Sequence, residues 1–204
     1  MLKLMYITND PAVAKIAADA GVDRIFIDME VLGKAERQGG MDTVQSHHVP
    51  EDIARVRAAI GNRAEIMARV NPLNPNSRRE IDASIQNGAD VIMLPMWRTA
   101  EDLRQLVQLV GGRAKTMPLL ETDTAADNLS AALQVPGIDQ MHIGLNDLHL
   151  CYHQKFMFQL LADGTVDRLC AGLRDASISY GFGGVVRPGS GTLPAANIIG
   201  EHYR

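Results

Sequence analysis

Cysteine is scarce: Cys151 and Cys170 are the only two. They are too few for a disulfide framework and too far apart for a CxxC pair, so both are read as ordinary thiols. A basic excess is missing as well. The formal net charge is −4 and the pI is about 5.8, which leaves no broad positive footprint and excludes nucleic acid as a main partner. Acids and bases are interspersed, with no charged tail at either end. No apolar run approaches the roughly 20 residues of a membrane span. The opening stretch, MLKLMYITNDPAVAKI, lacks the long apolar centre and small-residue cleavage site of a signal peptide, so a cytoplasmic protein without membrane contact is expected. No Gly-x-Gly-x-x-Gly turn follows the first strand, which argues against an open dinucleotide-binding sheet.

What is present is enough for one well-filled core. The chain of 204 residues is 46% hydrophobic and 22% charged, and a single domain over residues 1–204 is expected. Three segments share a pattern of Gly, apolar residue, Asp and then a strand: GVDRIFIDME from Gly21, GADVIMLPMW from Gly88 and GIDQMHIGLND from Gly137. Glycine just past a helix end supplies a left-handed cap, and the unbroken Ile, Val, Phe and Met runs suit strands covered on both faces. Weaker copies start at Gly61 and Gly112, and the steps Gly61 to Gly88, Gly88 to Gly112 and Gly112 to Gly137 are 27, 24 and 25 residues. That is the length of one strand and one crossover helix.

Helical periodicity fills the gaps in PAVAKIAADA, PEDIARVRAAI, SRREIDASIQN, TAEDLRQLVQLV and TAADNLSAAL, several of which open on Ser or Thr with an acid shortly after. Strands are predicted near residues 2–7, 23–28, 65–70, 90–95, 115–121, 140–146 and 181–186. Repeated βα units make a parallel sheet, and their regular period favours a TIM-type (β/α)8 barrel over an open sheet. The eighth βα unit is missing from the sequence, so the barrel reads as incomplete at its C-terminal end.

In such a barrel the chemistry gathers at the C-terminal ends of the strands. Strand 2 is predicted to end in Asp28 and Glu30, strand 3 in Arg69 and Asn71, strand 5 in Glu121, and strand 6 in Asn146 and Asp147. Neighbouring strands lie about 5 Å apart, so Glu121 and Asp147 can place two carboxylates on one hard divalent cation such as Mg²⁺. Both could equally serve as acids at helix starts. Lys115 begins strand 5, and no lysine is evident at a strand end for a Schiff base. Of the histidines, His142 reads as a core imidazole, while His47, His149 and His153 read as loop residues. Trp97 either walls a pocket or covers the rim. RPGSGTLP, after strand 7, has the composition of an anion-binding loop.

Five stretches in register, GVDRIFIDME, ARVNPLN, GADVIMLPMW, LLETDTA and GIDQMHIGLNDL, resemble the HpcH/HpaI aldolase and citrate lyase beta-subunit family of metal-dependent barrels that use pyruvate or phosphoenolpyruvate. The resemblance covers residues 20 to 150 well and the remainder loosely. It implies that Glu121 and Asp147 are the metal carboxylates, for Mg²⁺, Mn²⁺ or Co²⁺. It further implies that Arg69 faces a 2-oxoacid, and that Gly144, with Leu145 and Asn146, receives the substrate carboxylate on backbone amides. Family aldolases carry Asp-x-Glu-His at the end of strand 2, with the His paired to the Asp. Here Val31 stands in that place, and after an inserted stretch His48, oriented by Asp28, is the candidate displaced base, with a metal-bound water as the alternative. Leu119 departs from the Gln that many members carry. The expected activity is a metal-dependent aldolase joining or releasing pyruvate and an aldehyde, in an oligomer of identical subunits. Two other readings stand beside it. One is an acyl-CoA or acyl-carrier lyase, with Lys34, Arg98 and Arg187 as candidate basic residues; the other is a barrel that binds a small acid without catalysis.

Overall fold

A computed structural model describes residues 2–33, 46–185, 189, 191 and 193–204. Seven strands follow one another in a single all-parallel sheet, in the order of the sequence. They are β1 (Met5–Ile7), β2 (Arg24–Asp28), β3 (Glu65–Arg69), β4 (Val91–Leu94), β5 (Lys115–Leu120), β6 (Gln140–Gly144) and β7 (Ser179–Gly183). The main crossovers are α1 (Pro11–Asp19), α2 (Pro50–Ile60), α3 (Ser77–Gln86) and α4 (Ala100–Val110). Then come the short α5 (Asp123–Asp127) and α6 (Leu129–Ala132), α7 (Leu145–Cys151), α8 (Gln159–Ala162), α9 (Thr165–Asp175) and α10 (Ala195–Glu201). None of the described helices is long and apolar enough to cross a membrane.

Strand alternation divides the side chains into two apolar layers. Ile25, Ile27, Ile66, Ala68, Ile92, Leu94, Leu120 and Ile143 face outward and pack with the helices. Phe26, Met67, Val91, Met93, Met117 and Leu119 face inward and form a second cluster. The sheet is curled. Arg24 on β2 donates from Nη1 to Gln140 Oε1 on β6 at 3.0 Å, although strands four places apart in a flat sheet would be about 19 Å apart. The same guanidinium binds Glu65 Oε2 at 2.6 Å and Met117 Sδ at 3.2 Å. With Lys115 also on Glu65, these residues close the base of the lumen. Burial opposes the charge on Glu65, yet Lys115 and Arg24 hold its carboxyl down at about 2. Among the described residues β1 and β7 do not pair with each other, so the sheet is a curled, all-parallel half-barrel, consistent with a TIM-type barrel lacking one unit.

The repeated Asp has a structural cause. Asp23 accepts the Leu4 N–H at 2.8 Å, Asp90 the Ile66 N–H at 2.7 Å and Asp139 the Thr116 N–H at 2.8 Å. Each carboxylate therefore ties the entry of one strand to the start of the strand before it. Gly137 must be glycine twice over. Its φ is 89°, and a Cβ there would lie 2.8 Å from Val107 Cγ1.

Several sequence expectations are corrected. Strand 6 stops at Gly144, and Asn146 and Asp147 lie in the first turn of α7 because Gly144 is itself the residue that starts that helix. His149 is helical and buried, with Nδ1 3.2 Å from the Leu145 carbonyl. TAADNLSAAL makes two short helices broken at Asn128. Strand 7 ends at Gly183 rather than near residue 186, and strand 1 starts at Met5 rather than near residue 2. Trp97, expected to wall a pocket or cover the rim, is 2% exposed and packs in the outer core. Lys34, Arg187 and half of RPGSGTLP lie outside the described residues.

Candidate functional site

Register places the acids and the arginine together. Asp28 pairs with Arg69 across β2 and β3, and paired residues in a parallel sheet share a face. That face is the one carrying Phe26 and Met67, the lumen. Arg69 Nε and Nη2 each donate to one oxygen of Asp28 at 2.8 Å. Nη1 lies 3.5 Å from Glu30 Oε2, and the guanidinium stands over the Phe26 ring, 5.4 Å from its centroid. Burial works against the charge on Arg69, but the hydrogen bonds and charge of Asp28, then the charges of Glu30 and Glu121, raise its pKa above the usual value.

Glu121 occupies the first position after β5, and Thr122 follows as the cap of α5, its hydroxyl accepting the Ala125 N–H at 3.0 Å. Capping is therefore the work of Thr122, which leaves Glu121 to the mouth of the barrel. Its Oε1 accepts the Met96 N–H at 3.0 Å, and it is 2% exposed. Burial, followed by the charge of Asp147, pushes its carboxyl up to about 8 despite Arg69. Asp147 is also buried, and its place in the first turn of α7 suits an acid on electrostatic grounds alone.

Gly144 faces Glu121. A Cβ at residue 144 would lie 2.9 Å from Glu121 Cβ and 3.0 Å from Oε2, so glycine is needed there for close approach, with an ordinary φ of −88°. Leu145 turns into the outer core; Asn146 is partly buried at the same helix start. His48 reaches the end of β2: its Nδ1 accepts the Asp28 N–H at 3.0 Å, which places the proton of the neutral ring on Nε2. His48 also lines a cavity of about 350 Å³ with His47, Asn71 and Glu80. The cavity includes Met29 and Val70, which belong to the outer core, so it opens beside the strand ends on the helix side.

Asp28, Glu30, Arg69, Glu121 and Gly144 thus lie together at the strand ends, with Asp147 close enough for its charge to act on Glu121. The donor from Met96 was not legible, because nothing in PMW marks a backbone amide as functional. His142 lies in the lumen beside β7. A Cβ on Gly183 would sit 3.1 Å from its Nε2, and burial, then the fields of His202, Arg69 and Arg24, press its pKa down to about 4. Among the described residues no group of three or more His, Cys, Asp or Glu is arranged to hold a metal ion. A pair of buried carboxylates with one pKa raised by the other still fits a hard divalent cation, which takes its remaining ligands from water and substrate oxygens.

A family model described as HpcH/HpaI aldolase/citrate lyase matches residues 3–155. Among solved structures, the chain is similar to an HpcH/HpaI aldolase/citrate lyase family protein from Burkholderia cenocepacia J2315, with a TM-score of 0.71 and 18% identity over 88% of this chain and 78% of that one. An HpcH/HpaI aldolase from Desulfitobacterium hafniense DCB-2 gives 0.71 and 15%, over 91% and 79%. The citrate lyase beta subunit from M. tuberculosis, complexed with oxaloacetate and magnesium, gives 0.62 and 16%, over 88% and 76%. Identities this low carry the likeness of fold alone. No curated protein matches the chain by sequence.

Proposed function

Because the chain belongs to the HpcH/HpaI aldolase/citrate lyase family, whose members are lyases of carbon–carbon bonds, we propose that it is a divalent-metal aldolase making and cleaving 4-hydroxy-2-oxoacids through pyruvate enolate. The observation that carries this reading is the pair of acids buried together at the mouth, Glu121 at 2% and Asp147 at 6% exposure, with burial and then the Asp147 charge pushing the Glu121 carboxyl up. Two buried carboxylates in this relation are stabilised by a positive charge between them. Glu121 and Asp147 would hold the cation, which when bound supplies Lewis-acid stabilisation of negative charge on the 2-oxoacid oxygens.

The remaining roles belong to the chain's own groups. In cleavage a base takes the proton of the 4-hydroxyl, the C3–C4 bond breaks, an aldehyde leaves and the electron pair collects in the enolate. Asp28 fixes the plane of the Arg69 guanidinium by its two-point contact, and Arg69 sets its charge where the enolate develops. Gly144, Leu145 and Asn146 offer backbone to the substrate carboxylate, as the family resemblance implies. His48 is the candidate base: its Nδ1 accepts from the Asp28 amide and its Nε2 carries the ring proton, so it takes up the hydroxyl proton only once Nδ1 is released from that amide.

The test is pyruvate release from a panel of 4-hydroxy-2-oxoacids with Mg²⁺, Mn²⁺ or Co²⁺, run beside acyl-CoA thioesters and beside Glu121→Gln. Metal-dependent pyruvate release that Glu121→Gln abolishes supports the aldolase. Turnover of thioesters alone transfers the chain to the acyl-CoA lyases, and cation binding without any turnover leaves a small-acid-binding protein.

A further inference from the structure

Glu121 follows β5, yet its orientation is set by the turn after β4. Met96 has a φ of 56°, a left-handed conformation that strains any residue with a side chain. What that turn delivers is the Met96 N–H, donated to Glu121 Oε1 at 3.0 Å. On its other side Glu121 abuts bare backbone. A Cβ on Gly144 would lie 3.0 Å from Oε2, and it would also meet Leu119 Cδ1 at 3.1 Å. One carboxylate oxygen is therefore held by a fixed donor, and the other lies against a glycine that leaves room for it.

We propose that Met96 is a positioning residue: its left-handed backbone aims the amide that clamps Glu121 Oε1, so that Glu121 presents Oε2 to a divalent cation in one orientation. The inference rests on the metal reading of Glu121 and Asp147, and adds that the loop after β4 controls a ligand borne by β5. The backbone carries the role, and the thioether does not. Partners that orient a metal ligand from behind in this way commonly matter to affinity nearly as much as the ligands.

The experiment is Mn²⁺ binding to the full chain, followed by calorimetry and by electron paramagnetic resonance, with circular dichroism melts alongside. Four proteins are compared: wild type, Met96→Gly, Met96→Val, and a variant carrying the α-hydroxy acid of methionine at residue 96, which replaces the N–H by an ester oxygen. Glycine adopts this φ freely and keeps the donor, so Met96→Gly is expected to bind Mn²⁺ within about twofold of wild type and to melt no lower. The ester and Met96→Val are expected to bind at least about tenfold more weakly while remaining folded. An ester variant that binds within about twofold of a binding wild type overturns the proposal and leaves the metal reading standing. A wild type that binds no Mn²⁺, or binds it as well in Glu121→Gln, overturns the metal reading and this inference with it. Should Met96→Val fail to fold, the ester variant decides.

Discussion

Individual side chains at the mouth carry opposite demands. Glu121 is buried beside Asp147, and its carboxyl is raised from about 4.5 to about 8. A carboxyl raised on folding stabilises the folded state below its unfolded value, and that contribution is lost as pH climbs through the folded value. The metal-free protein is therefore expected to lose stability between about pH 4.5 and 8 through this group, and Glu121→Gln to remove that part of the slope in melts across pH. Cation binding runs the other way: below pH 8 it must displace the Glu121 proton, so affinity rises with pH and one proton is released. Calorimetry in buffers of different ionisation enthalpy measures that proton. Arg69 faces a different demand, since its two-point contact with Asp28 depends on a planar fork. Lysine cannot reproduce it, and Arg69→Lys is expected to lower pyruvate-forming kcat/KM by about 100-fold with the fold retained. Activity within a few-fold of wild type would reduce Arg69 to a structural tie.

Elements meet the mouth through their ends, and the glycines at those ends follow from local geometry. Gly137 begins the link into β6 with a φ of 89° and Val107 against its missing Cβ. Gly137→Ala combines left-handed strain of about 1–2 kcal/mol with a contact that only a shift of α4 or of the link can relieve. A Tm lowered by several degrees is expected, and an unchanged melt would show that the link moves freely. The three aspartates that follow such glycines were visible as a repeat. Their partners were not, because a carboxylate that ties its own link to the start of the strand before it is defined by the sheet. The same reason explains Asp147. Sequence expected it on a strand end, whereas Gly144 turns the chain straight into α7 and gives the acid to the first helical turn.

At the scale of the whole molecule, the base and the open side act separately from the mouth. Arg24 joins β2 to β3, β5 and β6 through Glu65, Met117 and Gln140. Arg24 is buried but Glu65 is 29% exposed and keeps Lys115, so Arg24→Ala is expected to destabilise by about 1–3 kcal/mol in denaturant melts, the cost of lost hydrogen bonds to charged groups. Its effect on cation affinity should be small, because Glu121 and Asp147 sit at the opposite end of the strands. The edge strands of the open side bear Tyr6 at 48%, Ile7 at 50% and Tyr180 at 37% exposure. Apolar side chains beside unpaired strand edges favour association. We propose that the chain self-associates through this side, and sedimentation at several concentrations tests it: a single monomeric species throughout would refute it.

Periodicity and glycine spacing in the sequence were enough to specify seven βα units, their parallel order and the strand ends that bear Asp28, Arg69 and Glu121, because each depends on residues close together along the chain. Placement of Trp97 in the outer core, the split of the α5 and α6 segment, the plug around Arg24 and the clamp from Met96 were decided by the folded molecule. Each joins groups brought together by the curl of the sheet or by the packing of one crossover on the next. The raised pKa of Glu121 belongs with them: burial first and the charge of Asp147 second lift its carboxyl out of the usual range, and both are products of tertiary structure.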